Sequence, residues 1–125
     1  MYTILVVDDE KDIVSALEIY LKAEGYRVLS ACNGKEALAA AAREDVHLIL
    51  MDIMMPEMNG YEAAKAIRAM NDRPDGKNIP IIAMTANSFA EDVQASLDAG
   101  MNAHLSKPIV IDEVIKTILR YVHND

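Results

Sequence analysis

Ile4-Leu5-Val6-Val7-Asp8-Asp9 is the stretch that decides the fold. Four aliphatic residues in a row, with no polar alternation, read as a short strand buried on both faces. Two acids then end it. The same pattern returns at Leu48-Ile49-Leu50-Met51-Asp52, and a third patterned stretch runs up to Lys107-Pro108. A buried strand presents its polar end residues at one rim of its sheet. If these strands are parallel, Asp8, Asp9, Asp52 and Lys107 meet at that rim. Such a cluster of carboxylates repels itself unless a cation joins it, which points to Mg²⁺ and phosphoryl chemistry.

Strand and helix signals alternate along the rest of the chain. After the first strand, Ile13, Leu17, Tyr20 and Leu21 recur at helical spacing up to Gly25. Arg27–Ala31 is a more polar strand, as an edge strand would be. Asn33-Gly34 opens a short Ala-rich helix to about Arg43. Residues 47–51 form the next apolar strand. Asn59-Gly60 leads into a helix with Tyr61, Ala64 and Ile67 on one face. The polar stretch 71–78, with Pro74 and Gly76, reads as a surface loop, and 79–84 as a strand with Pro80 at its start. Ser88-Phe89-Ala90-Glu91 matches a capping box that starts a helix ended by Gly100. Ala103–Ser106 is the last strand. Asp112 is expected to cap a final helix that turns Val114, Ile115, Ile118, Leu119 and Val122 inward.

Five β-then-α units with apolar strands predict an α/β fold: a doubly wound, flavodoxin-like parallel sheet covered by helices on both faces. The order 2-1-3-4-5 is the common five-stranded solution, with ligands at the carboxyl ends of the strands. Strands one and three are then neighbours, which places Asp8, Asp9 and Asp52 together.

The chain of 125 residues reads as a single domain, 1–125, with 52% apolar and 26% charged residues. Its net charge of −8 argues against direct nucleic-acid binding and against docking on anionic lipid. No apolar run approaches the ~20 residues of a membrane helix, and no signal peptide is expected before the first strand. Cys32, the single cysteine, fits a reducing cytoplasm and reads as a small buried strand residue. His47 and His123 show no ligand spacing with it. The methionines around Asp52 (Met51, Met54, Met55, Met58) read as core and loop packing.

Val6-Val7-Asp8-Asp9-Glu10, Met51-Asp52-Ile53-Met54-Met55-Pro56-Glu57-Met58-Asn59-Gly60, Met84-Thr85-Ala86 and Ser106-Lys107-Pro108 together resemble a response-regulator receiver domain, of the chemotaxis-response-regulator-like kind. The stretches 84–92 and 100–109 look like receivers of hybrid sensor kinases and phosphorelays. The resemblance implies two-component signalling: a phosphoryl group passes from a partner phosphohistidine, on a histidine kinase or histidine phosphotransfer domain, onto Asp52 as phosphoacceptor. It implies Mg²⁺ (or Mn²⁺) held by Asp8, Asp9, Asp52 and the main-chain carbonyl of Met54. Lys107 would be the counter-ion of Asp52 and of the phosphoryl oxygens, Thr85 the hydroxyl that bonds the phosphoryl group, and Lys107–Pro108 a cis peptide that aims the amine. Pro108 and Gly60 are structural.

The domain would be no general enzyme. It would catalyse only its own phosphorylation and slow dephosphorylation, with Met54 and Asn87 flanking the hydrolytic water. Relay partners of such domains dock beside the first helix and the Lys107 loop. The output face would be the fourth helix, last strand and last helix, near Phe89, His104 and Ile115, a face compatible with a weak dimer. The chain departs from the family at His104, where an aromatic switch residue is expected. An inward imidazole needs a hydrogen-bond partner; the alternative is a half-exposed strand histidine with no switching role.

Two rivals are weaker. A haloacid-dehalogenase-like phosphatase needs a second Asp two residues after the nucleophile, where Met54 stands. A flavodoxin-like nucleotide binder needs a phosphate-cradling loop after the first strand, where Asp8-Asp9-Glu10 is anionic.

Overall fold

The computed structural model describes residues 2–43, 45–55, 58–70, 79–86 and 90–122, the side chains of 90–93 excepted. Ten elements alternate along the chain: β1 (Thr3–Val7), α1 (Lys11–Ala23), β2 (Arg27–Ala31), α2 (Gly34–Arg43), β3 (Leu48–Asp52), α3 (Gly60–Arg68), β4 (Ile81–Thr85), α4 (Ala90–Asp98), β5 (Ala103–Ser106) and α5 (Ile111–Val122). All pairings are parallel, and the sheet runs β2-β1-β3-β4-β5, the expected order.

β1, β3 and β4 are buried at every position because alternate residues feed two separate cores. Leu5, Val7, Ile49, Met51, Ile81 and Ala83 pack with Ala37 and Ala41 of α2 and Ala63, Ala64 and Ile67 of α3. Ile4, Val6, Leu48, Leu50, Ile82 and Met84 pack on the other face with Leu17 and Leu21 of α1 and Val114, Ile118 and Val122 of α5. Burying each such branched side chain is worth roughly 1.5–3 kcal/mol. The sheet's interior strands therefore have no free face. Polar chemistry is confined to their ends.

The helix stops and starts follow local chemistry. Gly25 ends α1 at φ +93°, which lets the Tyr26 N–H reach back to the Leu21 carbonyl. Asn33 Oδ1 accepts from the Glu36 N–H at 2.9 Å at the start of α2. Asn59 and Glu62 form a reciprocal capping box on α3.

Several expectations need correction. The third strand begins at Leu48 and includes Asp52, and the fourth is Ile81–Thr85, because the ladder continues to an Ile53 N–H that donates to the Met84 carbonyl. α5 starts at Ile111, so Asp112 lies inside its first turn rather than at the cap. Tyr20 and Leu119 are 50% and 45% exposed, at the margins of their apolar stripes. Cys32 lies past the end of β2 and is exposed; its thiol donates to Glu36 Oε2 at 3.0 Å. That bond pushes the thiol pKa up and the Glu36 carboxyl pKa down. The expected loop at 71–78 and the capping box at 88–91 lie, apart from the backbone of 90 and 91, outside the described residues, as do Asn87, Phe89 and His123.

Candidate functional site

The parallel register sets Val7 beside Met51 and Asp52 beside Met84. The chain then leaves β1 at Asp8 and β3 at Asp52 on the same rim. Asp8 is 1% exposed and Asp52 3%, so two carboxylates are buried side by side. Lys107, just past β5, reaches into the gap between them. Its Nζ lies 3.1 Å from Asp8 Oδ2 and 3.3 Å from Asp52 Oδ1. It also approaches Glu10 Oε1 at 3.5 Å.

Each side chain is fixed from its own element. The Lys107 N–H donates to the Thr85 carbonyl at 2.8 Å, which ties the root of the lysine to the end of β4. The Lys107–Pro108 peptide is cis, as the sequence implied. Asp8 Oδ1 accepts the Glu10 N–H at 2.9 Å, a local Asx-type bond that leads into α1. Asp8 thus serves the helix start with one oxygen and faces Lys107 with the other. The Met54 N–H donates to Asp52 Oδ1 at 3.3 Å, while its side chain is 75% exposed. Gly60 backs the site, since a Cβ there would sit 2.5 Å from the Asp52 carbonyl oxygen.

The electrostatics are those of an unfinished charge cluster. Burial pushes the Asp52 carboxyl up to about 6; the charge of Asp8 adds to the rise, and Lys107 and the Met54 N–H oppose it. For Lys107, burial acts to lower the pKa, but its close contacts with the Asp8 and Asp52 carboxylates outweigh it, so the net direction is up. Asp8 Oδ2 is buried and, among the described residues, has the charge contact with Lys107 but no hydrogen bond of proper direction. A buried carboxylate oxygen in that condition is unusual. Asp9 and Glu10, both exposed, bring their carboxylate oxygens and those of Asp8 within 4.8 Å of one another. Hard oxygen donors converging on an under-satisfied buried oxygen fit a small divalent cation.

The rim therefore collects Asp8, Asp52 and Lys107, with Asp9 exposed beside Asp8. Thr85 is buried at the end of β4, paired in register with Ser106. Of Met54, it is the N–H that contacts Asp52. His104 is not brought to the rim; it stands exposed on β5 opposite Ala83. The sequence pattern assigns Glu10 no role, yet it is a third carboxylate on Lys107.

A five-stranded parallel sheet in this order is also the fold of solved relatives. The profile of the response regulator receiver domain matches residues 4–119. The chain belongs to this family. It is 42% identical over 118 residues to an uncharacterized 14.6 kDa protein of Leptolyngbya boryana, covering 94% of this chain and 88% of that one. It is 36% identical to the sensor histidine kinase RcsC of Escherichia coli over 94% of this chain but only 12% of RcsC. It spans 49% of the transcriptional regulatory protein PrrA of Mycobacterium tuberculosis, at 36% identity over 94% of this chain. Among solved structures, chemotaxis protein CheY4 of Vibrio cholerae superposes with a TM-score of 0.90 at 33% identity, covering 97% of this chain and 98% of that one. The receiver domain of sensor histidine kinase PA1611 of Pseudomonas aeruginosa gives 0.88 at 36% identity over 98% of both chains, and holds a magnesium ion in its active-site cleft. This receiver thus sits among both chemotaxis regulators and the receivers of hybrid kinases, in two-component signalling, where accepting a phosphoryl group is the family function.

Proposed function

We propose that Asp52 is the phosphoacceptor of a single receiver domain spanning 1–125. The observation that carries this is the Lys107 ammonium held 3.1 Å from Asp8 and 3.3 Å from Asp52 at a buried rim. Asp8 and Asp9, with Asp52 and the Met54 carbonyl, would hold Mg²⁺ (or Mn²⁺). That ion, when bound, neutralises charge on the carboxylates and on the incoming phosphoryl oxygens.

The residues divide the work as follows. An Asp52 oxygen attacks phosphorus, the bond from phosphorus to the donor imidazole nitrogen breaks, and that nitrogen keeps the electron pair. The product is an acyl phosphate on Asp52 and a free histidine on a histidine kinase or histidine phosphotransfer partner. Lys107 is already beside Asp52 and needs only a short swing to meet the phosphoryl oxygens. As a compact point charge on a flexible stem it suits that movement. Thr85, at the end of the neighbouring strand, supplies a hydroxyl to the same group. The acyl phosphate then has two fates: water cleaves it slowly to inorganic phosphate and the free Asp52 carboxylate, with Met54 beside the water's path, or the intact phosphoryl group is relayed to a further histidine.

Phosphorylation adds roughly −1.5 to −2 charge at the rim. Thr85 and the β5 position His104 would carry that change to the α4, β5 and α5 face, where Leu97 and Leu119 are exposed apolar residues that suit an output partner or a weak dimer. His104 has the thinner support, being exposed in this structure. A reducing, cytoplasmic setting agrees with the exposed free thiol of Cys32. Net charge of −8 speaks against direct nucleic-acid binding, and no described helix is long and apolar enough to cross a membrane.

The test is addition of beryllofluoride with Mg²⁺ to the wild type and to Asp52→Asn, followed by amide spectra. Saturating shifts at the rim are expected in the wild type, with affinity at least about 100-fold weaker in Asp52→Asn, since the acceptor oxygen and its charge are both lost. An unchanged response in the variant moves the acceptor elsewhere.

A further inference from the structure

We propose that Glu10 is a positioning residue for Lys107: it holds the amine at the mouth of the rim when a divalent cation takes over Asp8 and Asp52. The proposal rests on the cation site described above and assigns Glu10, one of the three carboxylates clustered there, to the lysine rather than to the ion. Glu10 occupies the N-cap of α1, with extended backbone (φ −90°, ψ 109°), yet its side chain makes no cap hydrogen bond. The side chains that turn onto the free N–H groups of their own helix are the short Ser, Thr, Asp and Asn, not the longer Glu, so the Glu10 carboxylate is not used by the helix. Here Oε1 points instead to Lys107 Nζ, 3.5 Å away, from a side chain that remains 62% exposed. Its main chain is pinned by the bond to Asp8 Oδ1. Glu10 is therefore a carboxylate of fixed root and free tip, anchored to one partner of the lysine and reaching for the lysine itself.

The charge arrangement gives that tip a use. Without a cation, the ammonium is shared among Asp8, Asp52 and Glu10, and Glu10 is the farthest and wettest of the three. A divalent ion on the Asp8 oxygens competes with the ammonium for the same charge and repels it. The displaced amine needs a nearby counter-ion outside the buried pair, and Glu10 is the carboxylate already in reach. The Glu10–Lys107 contact is then stronger in the loaded state than in the empty one. By linkage, a contact that strengthens on loading strengthens loading itself. Removal of the Glu10 carboxylate makes the ion harder to bind because the lysine has nowhere to go.

Mg²⁺ titration of the unphosphorylated protein, read by amide shifts at about 0.5 M salt to screen distant charge, tests this. Glu10→Gln should weaken Mg²⁺ roughly five-fold in the wild-type background, the scale of an exposed ion pair, and less than about two-fold in Lys107→Ala. Equal losses in the two backgrounds, or none in the first, overturn the proposal. Should Lys107→Ala fail to fold, the Lys107 Cε–Hε resonances of the Mg²⁺-loaded protein carry the test. They should differ between wild type and Glu10→Gln, and identical resonances overturn it. Asp9→Asn separates this from the site reading: abolished titration there leaves only Glu10 at stake, whereas an unchanged titration removes the cation site and the Glu10 proposal together.

Discussion

β3 and β5 both pair with β4, but they are built in opposite ways. β3 is buried at all five positions and ends in Asp52; β5 alternates, with His104 and Ser106 turned to solvent around a buried Leu105. A strand with two covered faces has nowhere for a polar group except its end, so a buried acid there must be held by something. Here the Lys107 ammonium and the Met54 N–H, each 3.3 Å from Asp52 Oδ1, supply that. A strand with one open face tolerates polar residues anywhere, and none of them is thereby marked for chemistry. Among the described residues, a strongly perturbed group accordingly stands at the end of β3, where the Asp52 carboxyl is pushed up to about 6.

The largest way to break that difference is to disturb what lies behind β3. Gly60→Ala adds a Cβ 2.5 Å from the Asp52 carbonyl oxygen and 2.9 Å from Ile53 Cα. Both neighbours are backbone, so the strand end itself must move. A loss of about 2–3 kcal/mol in urea unfolding is expected, with weaker beryllofluoride binding because Asp52 is displaced. Wild-type stability in Gly60→Ala would mean that the α3 start yields instead, and that the rim is softer than its packing suggests.

The second test is the charge itself. The Asp52 carboxyl stands at about 6 in the folded protein against an ordinary 3.8, because burial, then Asp8, favour the protonated form. The folded state binds this proton more tightly than the unfolded chain does. Its stabilising contribution is therefore full below about pH 4 and is lost as pH rises through about 6. Asp52→Asn removes the dependence. In metal-free buffer the variant should be more stable than wild type by about 1–2 kcal/mol at pH 7, a gain limited because Lys107 loses a partner, and near equal at about pH 4. Denaturation at the two pH values checks it. A variant less stable than wild type at pH 7 would show that the lysine fully compensates the buried pair.

The same contrast explains what the sequence could reveal. Unbroken aliphatic runs at 4–7 and 48–51, too short for buried helices, read as strands covered twice, and the acids that end them share a rim once the strands are parallel. Lys107 was legible for the same reason, from its place beyond the last strand. Cys32 was misread because one residue decides its fate: β2 stops at Ala31, and the next position is already outside the sheet. Glu10 was passed over because its part depends on where a side chain turns at a helix cap, and spacing carries no information on that. Tyr20 and Leu119 show the width of a helical stripe: apolar spacing continues to its edges, whereas burial does not.

The smallest effect is expected on β5, and it sharpens the comparison most. His104 is exposed, so His104→Asn should change stability by less than about 0.5 kcal/mol, as surface substitutions do. If the β5 face responds to the rim, the side chain at position 104 enters that response. The beryllofluoride affinity should then differ by about two-fold between wild type and His104→Asn, the scale of a surface substitution. Identical affinities in the two proteins would remove His104 from the switch. β5 would then be a surface strand tied to the chemistry through Lys107 at its end, whose N–H donates to the Thr85 carbonyl.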